Sequence, residues 1–383
     1  MKEVYITDLG AFLPGEPIPN DKMADVLGIT DRIIKRIQRQ VLKSNGIETR
    51  HYAIDPETGE LTYTNAQMAG EAIKRLKPYD GFQLGDIEAL CCGTSIPDQI
   101  VPGHASMVHG ELPEMGPAYI ASFGGVCCAS MTALDHAYML VQTGRTRNAV
   151  VTGSENFSAS MRSGPLQDFS ATDGSREIEL NAENQFYTQF LRFMLSDAAG
   201  AAFLTAKKPD RPAYRIDWFD LISFAHEMET CMYMGGVKQK DGKIKGWRNY
   251  SIDDLQRLNL LALKQDIPLL NELVMEYTIA KPFAAFKEKH GMKADEFDWF
   301  LPHYSSHYFR DKTFEKMEQS NFVIPQDKWF TNLYSKGNTG SASIFLIMEE
   351  LLNSGRLKRG DKILCINPES GRFSSCFIGL TVV

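Results

Sequence analysis

Segments with the composition of β-strands alternate along this chain with segments whose apolar residues recur at helical spacing. The strand-like segments lie at 4–7, 86–93, 119–123, 148–153, 199–204, 214–219, 297–301 and 363–366. Helical spacing is clearest in the segments 131–141, 255–273 and 344–352. This alternation predicts an α/β fold in which mainly parallel sheets are covered by helices. Both halves show it, which suggests a duplication, although no internal repeat is strong enough to prove one.

The basic, proline-containing stretch 207–212 is the best candidate for a boundary between the halves. We therefore expect an N-terminal unit at 1–208 and a C-terminal unit at 209–383. Between 156 and 190 the chain is polar and lacks clear periodicity. A loop that long is typical of a lid, a binding loop or a partner contact, and a tolerated surface insertion is an equal alternative.

Charge and cysteine content exclude several classes of protein. The formal net charge of −7 argues against a general nucleic-acid-binding surface. Seven cysteines without a CxxC pair or a Cys/His cluster indicate reduced thiols in a cytoplasm. The first residues lack the apolar core of a signal peptide, and no apolar run reaches the roughly 18 residues that a membrane helix needs. We expect a cytoplasmic protein without a membrane span.

Cys128 follows a strand-like segment and a Gly-Gly turn, and it precedes a helical pattern. A cysteine there lies near free backbone amides and the positive end of a helix dipole, and both favour the nucleophilic thiolate. An adjacent amide can also donate to a developing oxyanion. Cys127 competes for this role, but successive residues of a turn point apart. The alternative is a buried core cysteine, because free cysteine is among the most buried residue types.

His303 comes directly after the strand-like segment 297–301 and Pro302. Parallel α/β folds place ligand-facing groups at such strand ends, although a structural histidine is the alternative. His307 lies one helical turn further on, so a zinc site has to be weighed. Tyr304 stands where an H-E-x-x-H motif has its glutamate, and we therefore expect no metal.

Asn338 lies in the Gly/Thr/Ser-rich turn 336–343, which precedes an apolar helical pattern. It is either an ordinary turn or cap residue or an amide donor to a thioester carbonyl. No single one of the three residues is decisive. A thiol, an imidazole and a carboxamide together can form an acyl thioester and stabilise a thioester enolate. Their joint presence predicts carbon–carbon bond formation on acyl thioesters.

These motifs resemble, nearly from end to end, the β-ketoacyl-acyl-carrier-protein synthase III branch of the thiolase superfamily. The turn 337–343 gives the sharpest match. The other matching segments are 5–14 with Asn20 and Asp21, 45–50, Thr94 and Ser95 with Pro102, and 195–202. The resemblance implies a five-layered αβαβα sandwich of two duplicated halves, normally a homodimer. The resemblance also implies that no metal, flavin or nicotinamide is required, and that the substrates are thioesters of coenzyme A or acyl carrier protein.

The same resemblance implies a role for each site residue. Cys128 is the acyl-accepting nucleophile, and His303 and Asn338 hold the carbonyl oxygen of the second thioester. The backbone amides of Cys128 and Gly371 form the oxyanion hole. Val101 takes the position that the family contributes from the partner subunit and that limits acyl length, so a residue of this size would admit chains longer than acetyl.

Departures from the family bear on the specific product. The family's glycine-rich C-terminal loop is replaced by 368–373, and His303 is followed by Tyr-Ser-Ser-His. The segment 156–190 is also longer than in the housekeeping enzymes. These differences suggest a secondary-metabolism synthase similar to those that make dialkylresorcinol or flexirubin-type lipids, where a β-ketoacyl thioester can replace malonyl carrier protein as the second substrate.

Two other functions remain open. The chain could be an acyltransferase that passes the acyl group from Cys128 to an oxygen or nitrogen nucleophile, or a non-catalytic partner subunit of another synthase. Asn338 favours condensation, because simple acyl transfer needs no enolate stabiliser. Docking of an acidic carrier protein needs a basic patch, whose candidates are Lys207, Lys208, Lys238, Lys240, Lys243, Lys245 and Arg248.

Overall fold

The computed structural model describes residues 1–30, 32–162 and 191–383. Its strands are β1 (Tyr5–Phe12), β2 (Ile18–Pro19), β3 (Thr49–Arg50), β4 (Ala89–Thr94), β5 (Tyr119–Gly124), β6 (Asn148–Glu155), β7 (Ala198–Thr205), β8 (Tyr214–Ser223), β9 (Met232–Tyr233), β10 (Gly236–Lys238), β11 (Ile244–Gly246), β12 (Lys264–Gln265), β13 (Trp299–Pro302), β14 (Lys362–Glu369) and β15 (Ser374–Val382). The part of the polar segment 156–190 from residue 163 onward lies outside the described residues.

The α-helices are α1 (Met23–Val26), α2 (Arg32–Asn45), α3 (Asn65–Lys74), α4 (His104–Gly110), α5 (Ala129–Gln142), α6 (Ser158–Met161), α7 (Ile252–Arg257), α8 (Ile267–Met275), α9 (Lys281–His290), α10 (Tyr308–Gln319), α11 (Leu333–Lys336) and α12 (Ser343–Asn353). A π-helical turn, Glu276–Ala280, joins α8 to α9, and a 3₁₀ turn, Gly340–Ala342, leads into α12. No helix within these ranges is long and apolar enough to cross a bilayer.

The main sheet contains the same strand pattern twice. Its order is β13-β14-β15-β8-β1-β7-β6-β4-β5. In one half β4 is parallel to β6, which is followed by antiparallel β7 and β1. In the other half β13 is parallel to β14, which is followed by antiparallel β15 and β8. A parallel bridge from Phe300 to Trp329 stands where the counterpart of β5 is expected. The duplication suggested by the sequence is therefore visible in the strand order.

Each half is a mixed sheet, which corrects the expectation of mainly parallel strands. Only the pairs β4–β5, β4–β6 and β13–β14 are parallel among the main-sheet strands described. The link between β14 and β15 spans only residues 370–373. A connection this short permits only an antiparallel pair, because a parallel pair needs a crossover of a dozen or more residues.

Three apolar clusters fill the four boundaries between five layers of structure, because one cluster lies on both sides of the central layer. One cluster packs α3 and α4 against the N-terminal strands. A second joins α5 and α12 to strands of both halves, so these two helices form the central layer. The third packs α8, α9 and α10 against β14 and β15. The order is therefore helix, sheet, helix, sheet, helix.

Two glycines allow the central helices to begin close to the sheet. A Cβ on Gly93 of β4 would lie 2.4 Å from the backbone nitrogen of Ser130. A Cβ on Gly153 of β6 would lie 2.3 Å from the carbonyl oxygen of Ser341. Any side chain at these positions would push the start of α5 or α12 away from the strands. The glycines thereby set the position of both turns that carry predicted site residues.

The single long helix predicted for 255–273 is wrong. The structure has two short helices there, α7 and α8, with strand β12 between them. Asn259 adopts a positive φ of 45°, which ends the helical course. Asp266 then caps α8 by accepting a hydrogen bond from the amide of Leu269. Apolar spacing alone did not reveal these two breaks.

Candidate active site

Cys128 is the residue directly before α5, at the end of a turn that leaves edge strand β5. Its side chain is buried, and its Sγ donates a hydrogen bond to the carbonyl oxygen of Asn367 at 3.1 Å. The side-chain amide of Asn367 lies 3.7 Å from the same sulfur and donates to the carbonyl of Cys127. The turn of the predicted nucleophile is thus attached to the end of β14.

His303 lies beside that same end of β14. Its backbone amide donates to the carbonyl of Ile366 at 2.9 Å, which continues the parallel pairing of β13 with β14. The side chain is buried, and burial lowers the pKa of the imidazole to about 4. Neither ring nitrogen is hydrogen-bonded to any residue that the structure describes. The ring is therefore neutral at physiological pH, and its polar atoms remain available.

Asn338 lies in the turn before α12, with its backbone bonded to the segment that precedes β7. Its amide donates to Met194, and its carbonyl accepts from Ser196. The side-chain Oδ1 accepts from the amide of Gly340 at 3.1 Å, while the Nδ2 donates to nothing in the described part of the chain. A carboxamide held in this way keeps one donor group free for a ligand.

Direct contacts join the three turns. The hydroxyl of Ser130 donates to the carbonyl of Ser341 at 2.5 Å, which connects the start of α5 to the Asn338 turn. Asn367 contacts Cys128, and the neighbouring Ile366 holds His303. Cys128 and Asn338 are thus connected through Ser130 and Ser341, and His303 is connected to Cys128 through the adjacent β14 residues Ile366 and Asn367. The catalytic roles of the three residues stay predictions.

Glu155, at the end of β6, fixes the Asn338 turn from below. Its carboxyl accepts hydrogen bonds from the amide of Ser341 at 3.2 Å and from the amide and hydroxyl of Ser95. Burial raises the pKa of Glu155 to about 7, and the hydrogen bonds from Ser341 and Ser95 oppose that rise. The hydrogen bonds that hold the Asn338 turn therefore also favour the ionised form of the Glu155 carboxyl group.

The electrostatics of Cys128 differ from the sequence expectation. Burial raises the pKa of its thiol well above the usual value, and the negative charge of Glu369 raises it further. The backbone amide of Cys128 is also engaged, because it donates to Oε2 of Glu369 at 2.9 Å. The helix start therefore does not stabilise a thiolate in this structure, and the thiol is protonated.

The two remaining predicted residues lie at opposite sides of this region. The carbonyl of Gly371 accepts from the amides of Cys231 and Met232. A Cβ on Gly371 would lie 2.8 Å from Val126, so its backbone passes close to the nucleophile turn. Val101 is 79% exposed, next to Pro102. The oxyanion role of Gly371 and the acyl-length role of Val101 stay predictions.

Asn367 and Glu369 were not predicted as site residues. Both belong to β14, and the sequence showed only that the glycine-rich loop of the resembled family is absent at 368–373. Their relevance follows from the parallel pairing of β13 with β14, which brings the end of β14 next to His303. Asn367 Oδ1 is buried and accepts no hydrogen bond within the described ranges.

No cluster of three or more potential metal ligands occurs in the described ranges, and the absence of a metal stays an expectation. His307, the possible zinc partner of His303, instead packs near Gly46, whose Cβ would lie 2.6 Å from the His307 side chain. The backbone amide of His303 bonds to Ile366 of β14, whereas that of His307 bonds to Asn45 at the end of α2.

Comparisons with known proteins agree with this architecture. The family model for the C-terminal part of 3-oxoacyl-[acyl-carrier-protein] synthase III matches residues 288–376. A β-ketoacyl-[acyl-carrier-protein] synthase III from Clostridium perfringens is 25% identical over 369 residues, which cover 96% of this chain and 95% of the relative. Among solved structures, AbyA1, a tetronic acid condensing enzyme, has a TM-score of 0.73 at 20% identity, with 99% of each chain covered. FabH from Thermus thermophilus, also a β-ketoacyl-[acyl-carrier-protein] synthase III, has a TM-score of 0.69 at 20% identity, with 98% of each chain covered.

The chain has the thiolase-like fold, a five-layered αβαβα sandwich of two duplicated halves, and the predicted fold class is confirmed. Within that class it is similar over nearly its whole length to the β-ketoacyl-acyl-carrier-protein synthase III branch, as the sequence motifs predicted.

Proposed function

We propose that this protein is a ketosynthase III-like condensing enzyme, an acyltransferase that joins two acyl thioesters by a Claisen-type reaction. Cys128 accepts an acyl group from an acyl thioester, and the acyl-enzyme then reacts with the enolate of a malonyl or β-ketoacyl thioester. The observation that carries the proposal is the pair of free donors, the His303 imidazole and the Asn338 Nδ2, which lie in turns attached to the nucleophile turn.

The chemistry divides into two balanced steps. In the first, the Cys128 sulfur attacks the thioester carbonyl, and the thiol of coenzyme A or carrier protein leaves with a proton. In the second, loss of CO₂ from a malonyl thioester, or of a proton from a β-ketoacyl thioester, produces an enolate. Neutral His303 and Asn338 donate to its oxygen. The enolate carbon attacks the acyl-enzyme carbonyl, and the C–S bond to Cys128 breaks as the carbon–carbon bond forms. The released Cys128 thiolate takes up a proton, either from solvent or the one that the β-ketoacyl thioester lost.

The free amide of Asn338 distinguishes this proposal from the alternatives. Acyl transfer to an oxygen or nitrogen nucleophile forms no enolate, so that reaction would make no use of the His303 imidazole and the Asn338 Nδ2 as hydrogen-bond donors. A non-catalytic partner subunit would need neither the thiol nor the donors. We therefore place the protein in fatty-acid or secondary lipid and polyketide synthesis, with no metal or redox cofactor in either step.

The thioester partners are coenzyme A or an acyl carrier protein. The basic candidates for carrier docking fall into two separate groups, at the link between β7 and β8 and around the β10–β11 hairpin. Lys238 is neutralised by Glu229 and Asp266. Lys245 and Arg248 are exposed around Trp247, itself 38% exposed, and Lys207 and Lys208 are exposed as well, so both groups are candidates for the docking surface.

A second copy of the chain is the proposed partner at the β5 edge of the main sheet, where no further strand of the described residues pairs with β5. Tyr119 and Ile120 of edge strand β5 are each 36% exposed, and an unpaired edge with apolar side chains favours strand pairing. The loop that carries Ile100 and Val101 approaches β5, because the amide of Ala105 donates to the hydroxyl of Ser122. A homodimer formed there would cover this apolar surface.

The free state of all seven cysteines supports a reducing compartment, the cytoplasm.

Intact-protein mass spectrometry with a panel of acyl thioesters, from acetyl to long chain, tests the proposal. Each donor is mixed with the protein alone and together with malonyl carrier protein. We expect an adduct that is absent in Cys128→Ser, remains in Cys127→Ser, and disappears with malonyl carrier as a β-keto product forms. An adduct that only a β-ketoacyl thioester discharges would identify the alternative second substrate. Absence of any adduct, or discharge only by alcohols or amines, would refute the condensing role.

A further inference from the structure

Glu369 ends β14 and extends its carboxyl group to the turn of the nucleophile. Its Oε2 accepts hydrogen bonds from the backbone amides of Val126, at 3.0 Å, and Cys128, at 2.9 Å. Two amides that converge on one oxygen at the beginning of a helix form an anion-binding site. In this structure the anion in that site belongs to the chain itself.

Nothing else described in the chain holds this carboxylate in place. Oε1 of Glu369 accepts no hydrogen bond and no lysine or arginine pairs with the group, within residues 1–30, 32–162 and 191–383. The nearby Arg372 donates instead to the carbonyl of Met228 at 2.6 Å. A Cβ on Gly371 would lie 3.2 Å from Oε1, so the glycine leaves room for the carboxylate beside Val126. The two amides therefore provide the anchoring, and a competing oxygen at these amides could release the side chain.

We propose that Glu369 is an internal occupant of an oxyanion site formed by the amides of Val126 and Cys128, of which Cys128 belongs to the predicted oxyanion pair, and that the carbonyl oxygen of the acyl donor displaces it before Cys128 is acylated. This inference rests on the proposed function and deepens it. A neutral thioester oxygen is a weaker acceptor than a carboxylate. A donor must therefore supply binding energy from contacts elsewhere, which full coenzyme A or carrier-bound thioesters can do and small thioesters cannot. Glu369 thus selects for complete donors.

Displacement also changes the reactivity of the nucleophile. The negative charge of Glu369 lies next to the Cys128 thiol and opposes its ionisation. When the carboxylate leaves, the two amides and the start of α5 become available to stabilise negative charge. The thiol is therefore kept unreactive until a donor occupies the site.

Two variants separate the effect of the negative charge of Glu369 from the effect of its side chain occupying the amides of Val126 and Cys128. Glu369→Gln keeps an oxygen at the amides but removes the charge, and Glu369→Ala removes both. Glu114→Gln, an exposed glutamate of the N-terminal half, is the matched control. Thermal unfolding checks that each variant is folded. The first readout is alkylation of Cys128 by iodoacetamide, followed by peptide mapping. The second is acylation by an acyl-coenzyme A and by the matching acyl-N-acetylcysteamine thioester.

We expect Cys128 alkylation at pH 7 to be about tenfold faster in Glu369→Ala, the change that one pKa unit produces, and intermediate in Glu369→Gln. Acylation by the small thioester should gain more than acylation by acyl-coenzyme A. Unchanged alkylation in folded Glu369 variants, or faster alkylation with slower acylation, would overturn the proposal, since the second result makes Glu369 a participant in acyl transfer. Faster alkylation with no acylation by any donor, in wild type or variant, would support the internal occupant and refute the proposed function.

Discussion

At the scale of single residues, His303 is held in its uncharged form. Its ring is buried, and burial alone lowers its pKa from 6.5 to about 4. A neutral imidazole can donate a hydrogen bond from its N–H group to an enolate oxygen without itself changing protonation state. Asn338 cannot titrate at all, so the pair of donors does not change with pH in the physiological range. In the reaction that we propose, Cys128 is the group that changes its protonation state, because its thiol is protonated at rest.

The separate tasks of the site residues predict separable kinetic defects. In His303→Ala or Asn338→Ala, acylation of Cys128 should remain within about threefold of wild type, because the first step forms no enolate. Condensation should fall by about a hundredfold or more, the usual cost of losing one oxyanion donor. Single-turnover acylation followed by mass spectrometry, and product formation in a second assay, measure the two steps. Equal losses in both steps would show that the roles are not divided this way.

The low pKa of His303 also predicts how stability depends on pH. The unfolded chain takes up a proton at this residue below pH 6.5, whereas the folded chain does so only near pH 4. Stability from this group is therefore complete above pH 6.5 and is lost as the pH falls toward 4, by about 3 kcal/mol in total. Glu155, with a raised pKa, acts in the opposite direction over an overlapping range.

A comparison with His303→Asn isolates this contribution, because asparagine does not titrate and all other groups are shared. Denaturant unfolding of both proteins at pH 7, 5.5 and 4 gives the difference in free energy of unfolding. We expect wild type to lose more stability than the variant as the pH falls. A difference that stays constant over this range would contradict a buried neutral imidazole.

At the scale of elements, the approach of α5 and α12 to the sheet determines the site. Gly153 of β6 lies under both helix starts, and a Cβ there would meet the carbonyl of Ser341 and the side chain of Ser130. Those two serines also bond to each other. The distance between the nucleophile turn and the Asn338 turn therefore depends on a position without a side chain.

Gly153→Ala should lower the free energy of unfolding by about 2 kcal/mol or more, because the new methyl group meets backbone that cannot move aside easily. Gly110→Ala is the control: a Cβ at this helical position meets nothing within 4 Å, and the substitution should be neutral or stabilise by up to about 1 kcal/mol. Denaturant unfolding measures both. If Gly153→Ala is as stable as wild type, the helix starts are not held against β6 as the structure indicates.

At the scale of the whole molecule, the free edge at β5 predicts a homodimer. Ile120→Lys should shift the protein toward monomer, because a charge at a buried strand pair is destabilising. Val323→Lys, at an exposed position of the C-terminal half, is the control and should leave the mass unchanged. Sedimentation equilibrium over a range of concentrations reports the mass. A monomeric wild-type protein at every concentration, or a dimer that Ile120→Lys does not weaken, would exclude this interface.

The same scales explain what the sequence could predict. Cys128, His303 and Asn338 could be predicted as candidates because each stands at a junction between regular elements, where local composition is informative. Glu369 could not be found in this way, because its role depends on hydrogen bonds to the amides of Val126 and Cys128, which lie 243 and 241 residues away in the sequence. The two short helices in 255–273 were missed because a positive φ at Asn259 leaves no trace in apolar spacing. We propose the unit boundary at 208/209 from the repeated strand order, with the link at residues 206–213 between β7 and β8.

The corresponding locations of Cys128 and Asn338 have a consequence for the history of the chain. Each residue occupies the turn before the central helix of its own half, and the two helices meet at Ser130 and Ser341. In an ancestral assembly of two identical units, symmetry would have forced the same amino acid onto both sides of the axis. In a single polypeptide the two positions are independent, so that one can carry a sulfur, at Cys128, and the other an amide, at Asn338. Chemistry that needs two unlike groups facing each other across such an axis is open to the fused chain and closed to its symmetric ancestor.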